Sequence, residues 1–108
     1  MKFGLPPHLI ESLCAIFAQY PEIEEVVIYG SRAKGSYREG SDIDLALKGE
    51  NVTDETRGNV WLDIDASDSP YLADVCVFHH LNSPSLIDHI NRVGKTFYAK
   101  DRADAIFS

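Results

Sequence analysis

Two aspartates, Asp42 and Asp44, stand in i, i+2 spacing ten residues beyond a Gly30-Ser31 pair that closes a short apolar run. Consecutive same-face positions on a strand lie about 6.5 Å apart along the chain. Carboxylates so placed can converge on cations about 3.5–4 Å apart, the separation used in two-metal phosphoryl chemistry. The Gly-Ser turn offers backbone N–H groups to phosphate oxygens. Together they supply the two halves of a metal–nucleotide site. Arg32, Lys34 and Arg38 lie between the halves and concentrate positive charge there.

Two internal comparisons sharpen this reading. Asp63-Ile64-Asp65 is a second Asp-x-Asp, but it falls in a helical pattern, where the two side chains diverge, so it reads as a solvated helix end. Gly30-x4-Gly35-Ser36 begins like a phosphate-binding P-loop, yet Ser36 occupies the position that requires lysine. The ten-residue spacing and the strand context therefore carry the specificity. A third carboxylate is expected from Asp74, because an acid within the apolar run Leu72–Phe78 is costly unless it has a partner. His79 and His80 follow that run; a surface role suits them, with approach to the site as the alternative. His8 and His89 read as helix-surface residues.

The elements that must hold these groups follow from periodicity. Leu9, Ile10, Leu13, Ile16, Phe17 and Tyr20 predict a first helix over Pro7–Tyr20, stopped by Pro21. Val26–Tyr29 predicts a buried strand, with Ser31 as cap of a short helical turn and a loop over Gly35–Ser41. Ser41–Lys48 alternates, placing Asp42, Asp44 and Ala46 on one face and Ile43, Leu45 and Leu47 on the other. A helix over Thr53–Asp65 is expected to turn Val60, Trp61 and Ile64 inward. A third strand runs Leu72–His79. A last helix, opened by Ser83-Pro84, runs to Val93 with Gly94 as its stop, and Thr96–Ala99 adds an edge strand. Beyond Lys100 the tail is polar, with Ile106 and Phe107 as candidate contacts for a neighbour.

A chain of 108 residues fits one domain. The formal charge of −7 disfavours a general nucleic-acid grip, which depends on lysine and arginine neutralising phosphates. A nucleotide arriving as its magnesium complex is not disfavoured. No apolar run approaches the ~20 residues of a membrane span and no signal-peptide pattern is visible, so a cytoplasmic setting is expected. Cys14 and Cys76 lie in apolar segments and read as buried free thiols.

Gly30-Ser31-x10-Asp42-x-Asp44, with Arg32-Ala33-Lys34-Gly35 after the turn and Ser41 before the acids, resembles the minimal nucleotidyltransferases of the DNA polymerase β-like superfamily, many of which are MNT antitoxins paired with HEPN toxins. Lys34 stands where arginine is commoner in that family. The resemblance implies an α/β (α+β) nucleotidyltransferase fold, a small mixed sheet flanked by helices, that uses ATP and magnesium, two ions by expectation. It implies that Asp42 and Asp44 hold the cations and that Asp74 completes the cluster and helps deprotonate an acceptor. Gly30, Ser31, Arg32, Lys34 and Ser41 would then serve the nucleotide. Because this core takes up nearly all of the chain, the acceptor site is expected on another polypeptide, a HEPN protein whose tyrosine receives AMP, within a homo- or hetero-oligomer. Two other readings stand beside it: transfer to a small molecule or RNA end, and a nucleotide-binding module that inhibits its partner by contact without turnover.

Overall fold

A computed structural model describes residues 3–38, 40–67 and 69–100. Helix α1 spans Pro7–Ala18, opened by extended Pro6 and by Pro7 at its first position, and it buries Leu9, Leu13 and Phe17. It ends short of Tyr20 because the N–H groups of Gln19 and Tyr20 donate to the carbonyls of Ile16 and Phe17, tightening the last turn. Strand β1 is Glu25–Tyr29, the short helix α2 Ser31–Lys34, and β2 Ile43–Lys48. Helix α3 covers Asp54–Ala66. Its Thr53 cap and Thr56 exchange side-chain and backbone hydrogen bonds as a capping box, with Asp54 and Glu55 complementing the dipole. Strand β3, Ala73–Val77, is shorter than expected, because Phe78–His80 winds into a 3-10 turn. Helix α4, Pro84–Val93, and β4, Lys95–Ala99, complete the described chain.

The four strands lie in the order β3-β2-β1-β4. β1 is antiparallel to both β2 and β4, whereas β2 and β3 run parallel. The mixed sheet flanked by helices agrees with the expected fold class. The β2 alternation sets two layers. Ile43, Leu45 and Leu47 enter the main core with Leu9, Leu13, Phe17, Val60 and Ile64 from α1 and α3. Ala46 faces the other way, into a smaller cluster with Val27, Tyr29 and Ile90 of α4. Truncating a fully buried Leu45 or Phe17 to alanine would cost about 2–5 kcal/mol, so the register of the aspartates is tied to the core.

Trp61 does not point inward as expected. It is 41% exposed, and its indole N–H donates to the Ala73 carbonyl at 3.2 Å, linking α3 to the start of β3. Thr56 takes a buried place on that helix instead, satisfied by Glu22. Cys14 and Cys76 are half-buried rather than buried, and neither forms a disulfide. Among the described residues no helix is long and apolar enough to cross a membrane. Ile106 and Phe107 lie outside the described residues.

Candidate active site

The site begins where β1 ends. Gly30 has φ 74° and ψ −154°, a conformation open almost only to glycine. A Cβ at this position would overlap Asp44 Oδ2, so the turn and the carboxylate share the same space. Gly30, not Ser31 as expected, is the cap of α2, and Ser31 is its first residue, half-buried. The Lys34 N–H closes on the Gly30 carbonyl at 3.1 Å and the Ser36 N–H on that of Ser31 at 3.0 Å. Gly35 then ends the turn in the left-handed conformation at φ 83°.

Asp44 lies in β2 between two neighbours. Its register partner on antiparallel β1 is Tyr29, and on parallel β3 it is Asp74. Side-chain alternation puts Asp44 and Asp74 on the face that also carries Ala46 and Cys76. Asp42 precedes β2 by one residue and is exposed, as is Asp74, whereas Asp44 is half-buried. Burial pushes the Asp44 carboxyl above the ordinary carboxylate value, and the charges of Asp74 and then Asp42 push the same way. His89 opposes them.

This donor set suits a hard divalent cation: three carboxylates around one strand end, one of them resisting ionisation because it is part-buried and, after that, because of the negative charges beside it. Among the described residues, no three His, Cys, Asp or Glu side chains are gathered closely enough to form a ready-made metal cage. The chemistry of the residues therefore fits magnesium, without a closed coordination shell in place beforehand.

The resemblance implies Arg32 among the nucleotide contacts. The structure turns it inward to 3% exposure. Its Nε and Nη2 donate to the Ser41 carbonyl at 3.1 and 2.8 Å, and Nη1 donates to the Phe3 carbonyl at 2.8 Å. The Tyr71 and Tyr37 rings lie 4.6 and 5.3 Å from the guanidinium carbon. Such a planar fork, with donors in fixed directions, fastens the two ends of the loop between α2 and β2. Ser41, half-buried, lies just before the aspartates; its hydroxyl accepts the Arg38 N–H at 2.8 Å. Lys34 remains exposed at the end of α2.

Three residues beside the acids were not anticipated. The Tyr29 hydroxyl lies 3.7 Å from Cys76 Sγ, and the His89 ring meets the Tyr29 ring edge-on at 6.2 Å. Burial raises the titration points of both Tyr29 and Cys76, and the charges of Asp74 and Asp44 add to the effect. Only the packing of α4 against β1 brings His89 here, and no local pattern announces it. His80 instead pairs with Asp54 at 3.2 Å, after the end of β3 opposite the acids. In the second Asp-x-Asp, Asp65 is exposed, but Asp63 is half-buried and accepts the Tyr20 hydroxyl hydrogen bond, raising that phenol to about 12. It joins α3 to the end of α1 and is not a solvated terminus.

With this geometry in view, the relatives are informative. The family model described as Polymerase beta, Nucleotidyltransferase matches residues 11–103. No curated protein is a significant match. Among solved structures, a toxin–antitoxin complex with AMP-PNP contains a chain 21% identical, with TM-score 0.68, covering 95% of this chain and 81% of its own. A chain of the MntA-HepT toxin–antitoxin is 16% identical, with TM-score 0.66 and coverage of 94% and 80%. A complex of the tri-AMPylated Shewanella oneidensis HEPN toxin with its MNT antitoxin is 17% identical, with TM-score 0.65 and coverage of 93% and 77%. At these identities the likeness is one of fold.

Proposed function

The chain belongs to the polymerase beta nucleotidyltransferase family, and we propose that it transfers AMP from ATP to a tyrosine hydroxyl of a partner HEPN toxin, silencing it as an antitoxin. The observation that carries the transferase reading is the side-by-side register of Asp44 and Asp74, with Gly30 pressed against Asp44. The acceptor and partner are suggested by the neighbours in fold: one is a toxin–antitoxin complex with AMP-PNP, another holds an AMPylated HEPN toxin.

In this reading Asp42, Asp44 and Asp74 would hold magnesium, which when bound supplies positive charge to phosphate oxygens and lets the carboxylates stay ionised. Gly30 lets the phosphate chain approach the backbone, and Ser31 donates its hydroxyl to a phosphate oxygen. Lys34 adds positive charge. Ser41, clamped by Arg32, sets where the acids begin. Asp74, exposed on β3, receives the proton of the attacking hydroxyl. The new bond joins that oxygen to the α-phosphorus, and the bond to the β-phosphate oxygen breaks as pyrophosphate leaves.

The test is incubation with α-labelled ATP, magnesium and the HEPN protein encoded beside it. Label on a tyrosine of that protein, located by mass spectrometry, is the expected outcome. Failure of any label to reach it would overturn the acceptor assignment.

A further inference from the structure

Ahead of α1, residues 3–5 lie against the stretch of chain that leads from α2 to the acids. Phe3 has φ 58°, among the described residues the one non-glycine in the left-handed region, and Gly4 follows it at φ 71°. A bulky residue held there marks a backbone that its surroundings over-determine. Those surroundings are on both sides of the turn. Leu5 is wholly buried, and the Phe3 ring stacks on Phe97 of β4 with centroids 5.9 Å apart. Toward the site, the Phe3 carbonyl accepts Arg32 Nη1 at 2.8 Å, and any Cβ on Gly4 would overlap the Tyr37 ring.

These two contacts converge. Tyr37 lies 5.3 Å from the Arg32 guanidinium carbon, and the other two donors of Arg32 hold the Ser41 carbonyl, one residue before Asp42. Asp42 needs such support more than Asp44 does. Asp44 is paired in register on both sides, with Tyr29 and with Asp74. The ladder to β3 begins only at Ile43 and that to β1 only at Asp44, so neither reaches Asp42.

We propose that the turn at Phe3 and Gly4 is a positioning element for the cation site. It holds Arg32 through a backbone carbonyl and Tyr37 through close packing, and through both it fixes the path on which the chain delivers Asp42 beside Asp44. The assignment rests on the metal–nucleotide reading of the acids and adds to it two residues outside the Gly30–Asp44 segment. Neither touches a reacting atom. Partners that orient metal ligands from outside set cation affinity by about 10–100-fold, and the turn acts on that scale.

Magnesium binding, titrated by calorimetry with a non-hydrolysable ATP analogue present, tests this on the wild type, Gly4→Ala, Tyr37→Ala and the double variant. Amide hydrogen exchange at Ser41 and Ile43 is followed in chelator on the same proteins. Val60→Ala, which opens the core away from the turn, is the control for lost stability. Each single variant is expected to weaken magnesium on the order of tenfold and to speed exchange at Ser41. The double variant should be little weaker than the worse single one, because both substitutions break one chain of contacts. Val60→Ala should lower the melting temperature and leave magnesium affinity where it was. Unmoved magnesium affinity in the two single variants overturns the proposal, as do effects that multiply in the double variant. Equal weakening by Val60→Ala also overturns it, assigning the change to stability. Wild-type protein that binds neither magnesium nor the analogue overturns the underlying reading as well. Should Gly4→Ala not fold, Tyr37→Ala, at a position 38% exposed, decides by the same titration.

Discussion

Gly30 and Asp44 are fitted to each other so closely that a methyl group on the first would occupy the position of the second's Oδ2. Two penalties therefore fall on Gly30→Ala: a backbone conformation foreign to alanine, about 1–3 kcal/mol, and displacement of the carboxylate. Lower denaturant midpoint and loss of most transferase activity are expected. In an Asp44→Ala background the same substitution should cost less stability, because the collision is gone. Equal costs in the two backgrounds, measured by urea unfolding, would show that the carboxylate exerts no constraint.

Arg32→Lys should behave much like Arg32→Ala. A lysine keeps the charge but lacks the planar fork whose three nitrogens bond the Ser41 carbonyl twice and the Phe3 carbonyl once, so the clamp is weakened. We expect a loss of about 2 kcal/mol in either variant by urea unfolding, the range seen when a buried polar group loses its partner. Nucleotide binding should also weaken, through movement of the loop that ends at Ser41. Retention of wild-type stability by Arg32→Lys would assign the residue to charge alone.

The raised Asp44 pKa gives a signed prediction for metal-free protein. The folded state keeps this proton at pH values where the unfolded chain has lost it, so stability falls as pH rises from the unfolded carboxylate value through the folded one. Above that window the penalty is complete. Asp44→Asn removes it and should stabilise the metal-free protein at neutral pH by about 0.5 kcal/mol, the scale of a cross-strand charge pair, seen as a higher melting temperature in chelator. At acid pH, below the window, the difference should vanish. Magnesium should raise the melting temperature of the wild type more than that of Asp44→Asn.

Asp42→Asn with Asp44→Asn separates catalysis from contact. If the proposed function holds, the double variant should bind the proposed HEPN partner yet fail to silence it, measured as partner activity at equal stoichiometry. Full silencing by this variant would establish inhibition by contact.

Much of the site is legible because its information is local. Asp42 and Asp44 follow Gly30-Ser31 at fixed spacing, and the Ile43, Leu45, Leu47 alternation fixes which face carries the acids. Asp74 stood out as an acid in an apolar run. Arg32 misleads because its environment comes from Phe3, Tyr37 and Tyr71, and two of those partners are remote in the chain. Trp61 misleads because α3 carries little amphipathic signal, so the helix could be rotated in the mind without contradiction. His89 reaches the site region only through the seating of α4 against β1, which no local spacing encodes.

The sheet order gives Asp74 an uneven footing. β3 is one of the two edge strands and, among the described residues, pairs only with β2, whereas Asp44 is braced from β1 and β3 together. One ladder of hydrogen bonds, with the Trp61 link to Ala73, thus decides whether the third acid is present beside the first two. Outer strands open locally at lower free energy than the centre of a sheet. Detachment of β3 would take away the proposed proton acceptor and leave the Gly30–Asp44 pair standing, an order of failure that runs from the perimeter inward.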